Sequence, residues 1–476
     1  MIRFRTLHEA LCSERPLNTP LYSCQDRLLT YGDLLACTEQ LHKELIRVKA
    51  EKALLCISDT FYFTAALCAC LYSGKIPILP GYGTPEEAYG FIEEDKAESV
   101  IFITDAQRPK DQSSLKAKPD ILYCQTLYLK QHGAYESDSA DYRRSCSFLQ
   151  RAPKKDSEIL LYTSGSTGQS KTVHKPLYCL EREAVILQEL FGSRTERLCV
   201  AGTVYPYHMF ALTFRIFLPL LGGLLQESGL IHYTEELAAR QHKLMLITSP
   251  AFLKRLDFSK KAPEIKICVS AGGRLPDETA LEFYSWSYCP VDEIYGSTET
   301  GVMATRSNRG QKPLWQPFSG MRFTMKEEFF YLSSPLIAEE SFRLDDMLEF
   351  SEGGFILKGR RGRTVKIEEK RVSFDETEKM LLALPSVSEC AVLVIEENSR
   401  ACLGAVLKLK DELYTELKAG GSDALRRFKR DLRLKLVKSA NGRTVPKKFR
   451  VVELMPVNHM GKLQAAALKE LFYDKT

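Results

Sequence analysis

Residues Ile159 to Thr172, ILLYTSGSTGQSKT, constrain this chain most. An apolar run of strand character stops abruptly in a loop that carries two glycines, Gly165 and Gly168, and ends at Lys171. Glycines let backbone N–H groups come close to an anion. Thr163, Ser164, Ser166 and Thr167 add hydroxyl donors and Lys171 adds positive charge, a set suited to a triphosphate. A plain Ser/Gly surface loop is the alternative, and the density of donors directly after a strand argues against it.

The surrounding pattern fits an α/β parallel sheet. Leu29 to Ile46 has apolar residues at helical spacing, Ala53 to Ile57 reads as a buried strand, Phe61 to Tyr72 as an apolar helix and Ser99 to Ile103 as a further strand. Strands recur at Leu198–Val204, Leu244–Thr248, Ile265–Ser270 and Val291–Ile294, several running into Gly-, Ser- or Thr-rich segments. In such sheets ligands sit outside the carboxyl ends of the strands. Lys130 to Ser147 is polar and aperiodic and reads as a surface connection. The string KGRRGR around Gly359–Gly362 reads as a flexible joint, followed by a strand–helix–strand pattern and a basic helix. The expected architecture is a large N-terminal α/β region, residues 1–361, and a small mobile α+β domain, residues 362–476.

Charge divides along the same line. The chain is +5 overall, while residues 362–476 carry +7 and the remainder −2, which suggests an acidic partner for the C-terminal part. The longest apolar stretch, Phe210 to Leu225, is broken by Arg215 and is shorter than a membrane span needs. The N-terminus lacks a signal-peptide pattern. The fourteen cysteines form no CxxC and no zinc spacing, consistent with buried thiols in a reducing cytoplasm.

Two phosphate-loop readings compete for Gly165 to Thr172. The nucleoside-triphosphatase P-loop, GxxxxGK[ST], nearly fits, but Ser170 stands where it needs its second glycine, and Pro176 interrupts the helix that should follow. The second reading rests on two motifs. Tyr162 to Lys171 closely resembles the phosphate loop of the adenylate-forming superfamily, with Ser170 in place of the usual proline. Val291 to Gly301, VDEIYGSTETG, resembles that superfamily's YG-S/T-T-E segment. The superfamily includes acyl- and aryl-CoA synthetases, luciferases and adenylation domains of peptide synthetases. The segment Lys366 to Val372 looks most like small bacterial synthetases that charge acyl or aryl acids for aryl-polyene or fatty-acid-like pathways.

The resemblance implies that Tyr295, followed by Gly296, stacks on adenine, Thr298 bonds the α-phosphate and Glu299 holds Mg²⁺. A carboxylate beside a phosphate loop otherwise repels the phosphates, so a metal or proton role is the natural one. Other segments resemble the superfamily in order. Gly272, Gly273 and Arg274 in SAGGRLP match the loop along adenine, and Tyr207 to Phe210 matches the segment beside the acyl pocket, with His208 as a candidate. Asp346, in FRLDDMLEF, matches an aspartate that chelates the ribose hydroxyls, although Leu344-Asp345 replaces the usual Thr-Gly. Arg360 matches a ribose-contacting arginine, and Gly362 stands at the hinge position. Lys462, in PVNHMGK, matches the lysine that enters the site for adenylation, where a cation offsets charge on the reacting groups. Glu369 stands where a glycine usually lets pantetheine pass.

The implied activity is ATP-dependent activation of a carboxylic acid to an acyl-adenylate, then transfer to a phosphopantetheine thiol, with ATP and Mg²⁺ required. The region Thr203 to Gln226 has no Asp or Glu to pair an α-ammonium and carries Tyr205, Tyr207, Phe210, Phe214 and Phe217, which suits an aryl or fatty acyl group; a purely structural core is the alternative. The acceptor is an acyl carrier protein or CoA. Glu369 and the basic run Arg426 to Arg450 point to the carrier, and a solvated face or one meeting CoA phosphates is the alternative. Nucleic acid is disfavoured because that run has no aromatic residues besides Phe428 and Phe449. Two other classes stay open: a P-loop phosphotransferase or NTPase, and a degenerate nucleotide-binding protein without ligase activity.

Overall fold

The structure, a computed structural model, describes residues 3–24, 27–80, 100–105, 121–123, 139–164, 170–311, 313–367, 370–397, 400–439, 445–457 and 463–473. Among them two large sheets carry the N-terminal region. One is six-stranded, ordered Ile121–Tyr123, Val100–Thr104, Lys52–Cys56, Ile76–Leu79, Glu158–Ser164 and Ser170–Pro176. Its strands are parallel except for the last pair, in which Ser170–Pro176 returns antiparallel along Glu158–Ser164. The other is nine-stranded. Its interior strands Val291–Ser297, Ile265–Ser270, Leu244–Thr248, Cys199–Gly202, Leu225–Glu227 and Pro20–Cys24 run parallel, and antiparallel strands close both edges.

Local chemistry accounts for these elements. Leu244–Thr248 is buried at every position, the pattern of a parallel strand covered on both faces. The helix Tyr31–Leu45 begins at a capping box, with Thr30 and Asp33 exchanging hydrogen bonds at the first turn. The helix Thr60–Tyr72 is apolar on every side and accordingly lies inside the core, where Asp59 caps it by accepting from the N–H groups of Phe61 and Tyr62. The apolar stretch after His208 is a helix that widens to π geometry over Leu212–Phe217. Its Arg215 is fully buried and donates to the carbonyls of Val204, Glu227 and Gly229. Gly202 faces this guanidinium, and a Cβ there would collide with it. The two sheets are stitched together where Thr60 N–H donates to the Ser228 carbonyl and the Ser228 hydroxyl donates to Asp59.

The expected joint is shorter than a flexible linker. Gly354–Arg360 is a strand, Arg361–Arg363 a single turn of 3₁₀ helix, and Thr364–Ile367 already a strand again. Beyond it a three-stranded sheet of Val387–Glu397, Arg400–Leu409 and Lys448–Val452 packs with the helices Phe374–Leu382, Gly421–Ser439 and Ala465–Tyr473 around its own apolar core. No described helix is long and apolar enough to cross a membrane. Part of the segment read as a surface connection, Ser139–Ser145, is a short helix.

Candidate active site

Three of the segments singled out in the sequence emerge from one edge of the nine-stranded sheet. Ala271 to Arg274 follow Ile265–Ser270, Thr298 to Thr300 follow Val291–Ser297, and Thr203 to His208 follow Cys199–Gly202, all at carboxyl ends of parallel neighbours or next neighbours. Gly272 sits at φ +88° in the first loop, a conformation L side chains avoid, and Arg274 is exposed. His208 precedes the short helix Met209–Ala211, its ring 4.7 Å from that of Tyr207 in an edge-on contact.

The turn after Val291–Ser297 is held by its own hydroxyls. Thr300 Oγ1 accepts from the Ser297 N–H at 3.2 Å, and the Ser297 hydroxyl accepts from the Thr300 N–H at 3.2 Å. The chain doubles back so closely that a Cβ on Gly296 would strike the Gly301 carbonyl, and Gly301 itself takes φ +70°. Thr298 and Glu299 sit at the tip, half-buried.

The phosphate-loop strand reaches this turn from the other sheet. Lys171 Nζ lies 3.6 Å from Glu299 Oε1. Thr163 and Ser164 are on the strand paired with Lys171 and Ser170. Gly165, Ser166, Thr167 and Gly168 lie outside the described residues, as do Lys462 and Glu369. Two segments more than a hundred residues apart thus meet at one carboxylate.

Tyr295, Asp346 and Arg360 form a second cluster. The Tyr295 hydroxyl donates to Asp346 Oδ2 at 2.9 Å, and Arg360 Nε donates to Asp346 Oδ1 at 3.1 Å. Burial and the adjacent carboxylate both push the Tyr295 phenol up, so it stays a donor. Burial works against the Arg360 charge, but Asp346 more than offsets this and holds the guanidinium above its ordinary value. The Tyr295 ring packs 5.8 Å from Trp315 and 6.0 Å from Phe355. Among the aromatic residues read as pocket candidates, Tyr207, Phe214 and Phe217 are core, whereas Tyr205 and Phe210 keep partial exposure beside His208.

Sequence reasoning missed Lys175 and Glu183. Lys175 is 1% exposed and its Nζ donates to the carbonyls of Glu299 at 3.1 Å and Leu336 at 3.2 Å. Glu183 is equally buried and accepts from the Val302 N–H at 2.8 Å. Burial lowers the Lys175 ammonium and raises the Glu183 carboxyl, and each partly offsets the other's shift. A lysine between His174 and Pro176 reads locally as exposed. The one available signal is that Lys171, Val173 and Lys175 share a strand face.

Comparison with known proteins decides the family. A family model described as AMP-binding enzyme matches residues 9–321. The chain belongs to the AMP-binding enzyme family. It is 24% identical to a mycosubtilin synthase protein from Bacillus subtilis over 93% of its own length, and 23% identical to 4-coumarate–CoA ligase from Rhodobacter capsulatus over 57%. The chain spans 18% of the first of these relatives and 69% of the second. Among solved structures, ATP-bound MatB from Rhodopseudomonas palustris matches with TM-score 0.75 at 18% identity over 99% of both chains. O-succinylbenzoate coenzyme A synthetase from Bacillus subtilis, in complex with AMP, matches with TM-score 0.74 at 17% identity over 100% of this chain and 98% of that one. These likenesses establish the fold of the AMP-binding enzyme: α/β, with a large N-terminal region and a small C-terminal α+β domain.

Proposed function

We propose that this AMP-binding enzyme activates a carboxylic acid with ATP and passes the acyl group to a thiol. The carboxylate oxygen attacks the α-phosphorus, the bond to the β-phosphate breaks, and pyrophosphate leaves. A phosphopantetheine thiol then attacks the acyl carbon, the bond to AMP breaks, and the thiol proton goes to solvent. No covalent enzyme intermediate is needed, so catalysis is positioning and electrostatics. The observation that carries this reading is the meeting of Lys171 and Glu299, which joins the donor-rich loop to the turn bearing the second motif.

The residue roles are part of the proposal. The Thr163–Lys171 segment holds the phosphates, Thr298 bonds the α-phosphate, and Gly272, Gly273, Arg274, Tyr295 and Gly296 line the base. Asp346 and Arg360 hold the ribose, an assignment supported by their joint hydrogen bond; Asp346 accepts from Arg360 at Oδ1 and from Tyr295 at Oδ2, and each oxygen keeps a second lone pair for a diol hydroxyl. Mg²⁺ enters with ATP as part of the substrate and neutralises phosphate charge. Glu299 fits it as a partly exposed carboxylate beside the loop, with ligand oxygens completing the shell; among the described residues no cluster of three His, Cys, Asp or Glu offers a cage. Lys462 enters for adenylation as residues 362–476 turn about the Arg361–Arg363 joint. Tyr205, His208 and Phe210 favour an aryl or fatty acid. The acceptor is an acyl carrier protein before CoA, on the strength of the basic C-terminal helix. Mostly buried free thiols among the described cysteines support work in the reducing cytoplasm.

The test is acid-dependent exchange of labelled pyrophosphate into ATP across aryl, fatty and amino acids. Exchange with an aryl or fatty acid is expected. Acid-independent release of ADP or phosphate would replace this reading with a phosphotransferase, and ATP binding without exchange would replace it with a nucleotide-binding protein.

A further inference from the structure

We infer that Lys175 and Glu183 are positioning residues that set the height and orientation of the Glu299 turn, and so the affinity for the Mg²⁺ complex of ATP. The inference rests on the proposed role of Glu299, and goes beyond it to two residues that no ligand contact would reveal.

Over four consecutive residues, from Glu299 in the turn to Val302 at the start of the strand Gly301–Asn308, outside contacts grip the chain at both ends. At the first residue Lys175 Nζ takes the Glu299 carbonyl at 3.1 Å. At the last, the Glu183 carboxylate takes the Val302 N–H at 2.8 Å. Between them the carboxylate lies over Gly301, about 3.2–3.3 Å from where a Cβ would stand. The pair comes from one short piece of chain: Lys175 from the strand Ser170–Pro176 and Glu183 from the helix Leu177–Phe191 that follows it directly. That strand is the one leading out of the phosphate loop. Lys171, on the same strand face, reaches the Glu299 side chain while Lys175 holds its backbone. Lys171 and the Glu299 turn are therefore referenced to one strand–helix unit.

Charged residues are a costly way to achieve this. Taking an ammonium and a carboxylate out of water is costly, and apolar residues of similar volume often serve a core as well. The ammonium is the counter-charge of the buried Glu183 and meets two carbonyls. One of these belongs to Glu299 and the other to Leu336, in a different segment, so the same group also ties the turn to Leu336. Holding a metal-binding carboxylate to within about half an ångström is the kind of task that supporting hydrogen bonds perform.

The test separates positioning from stability by removing the pair together. Lys175→Met alone leaves Glu183 buried without its counter-charge and destabilises the fold, whereas Lys175→Met/Glu183→Met removes both charges and keeps the apolar volume. Two readouts are taken on the folded double variant: binding of ATP by calorimetry as a function of Mg²⁺, and half-saturation by Mg²⁺ in pyrophosphate exchange. The expected result is an unfolding midpoint close to wild type, a roughly tenfold rise in the Mg²⁺ needed for tight ATP binding, and unchanged ATP affinity without metal. Lys175→Arg, which keeps a donor, is expected to recover part of the Mg²⁺ response. Wild-type Mg²⁺ dependence in the folded double variant would overturn the inference. If the double variant does not fold, Lys175→Met/Glu183→Gln, which removes the donor to the Glu299 carbonyl and both charges but keeps an acceptor for Val302, serves instead, with the same shift expected in smaller measure and the same overturning result. Calorimetry keeps the failures distinct: wild-type protein that binds Mg²⁺–ATP yet exchanges no pyrophosphate sinks the acid-activation proposal and leaves this one to stand or fall on binding alone.

Discussion

At the scale of single residues, the contacts of the candidate site converge on Glu299. Its carboxylate faces Lys171, its backbone is gripped by Lys175, and its turn depends on Gly296 and Gly301. Glu299→Gln keeps size and hydrogen bonding but removes the charge that a hard cation prefers. It is expected to raise the Mg²⁺ requirement and slow adenylate formation with the unfolding midpoint unchanged; a Mg²⁺ titration of pyrophosphate exchange measures it, and an unchanged titration removes Glu299 from the site. Lys462 makes a complementary case. In the proposed role a cation there is needed only while phosphate charge is redistributed, so Lys462→Ala should lower adenylation by roughly 10²–10³-fold. Thioester formation from a supplied acyl-adenylate should be nearly spared, and equal loss in both half-reactions would show that the lysine serves something else.

At the scale of elements, the pairing of the helices Tyr31–Leu45 and Thr60–Tyr72 makes stability pH-dependent away from the site. His42 on the first helix is buried, with its Nδ1 2.8 Å from the hydroxyl of Ser73 just past the end of the second. Burial holds the imidazole below its usual 6.5, with Glu39 pulling in the opposite direction and Lys43 adding to the burial effect. A His whose folded value is depressed stays neutral in the native state while the unfolded chain takes up its proton. No penalty exists above 6.5, stability is lost as pH falls from there toward the folded value, and the loss is then complete. Scanning unfolding from about pH 7.5 to about pH 5.5 should show the midpoint fall, and the fall should be shallower in His42→Gln. Equal slopes would remove His42 as a cause; His8, also lowered by burial, titrates in the same window and is unchanged in both proteins.

At the scale of the whole molecule, the charge asymmetry becomes a surface. On the helix Gly421–Ser439, Leu432 and Leu436 are buried and pack into the small domain's core. Lys429, Arg430 and Arg433 then line a concavity of about 390 Å³ with Lys447, Lys448, Phe449 and Arg450. Leu434 and Val437 are more than half exposed on the same helix. A basic face with apolar side chains in it suits an acidic protein better than a bare phosphate, which has no use for the leucine and valine. Replacing Arg426, Arg427 and Arg430 with glutamate is therefore expected to weaken charging of a holo carrier protein in a salt-dependent way and to spare adenylation. Thioester yield with carrier protein and with CoA, at several ionic strengths, is the measurement. CoA charging that ignores both salt and the substitutions would exclude the carrier as the preferred acceptor.

The fold class is legible in the chain alone, because buried strands and amphipathic helices announce themselves through local apolar periodicity, as Leu244–Thr248 and Gly421–Ser439 do. Local sequence also brings out the two principal motifs, since a run of glycines, hydroxyls and a lysine directly after a strand marks itself locally. Which residues meet is set by packing in three dimensions. The Tyr295–Asp346–Arg360 cluster joins positions whose separation no periodicity encodes, and the division of the aromatic stretch into the buried Phe214 and Phe217 and the partly open Tyr205 and Phe210 depends on what packs against each. Lys175 and Glu183 are the sharpest instance. A lysine beside a histidine and a glutamate in a helix look solvated in any window of the chain. Their burial follows from a turn more than a hundred residues away that folds back onto them, and long-range contact of that kind leaves no trace in local sequence.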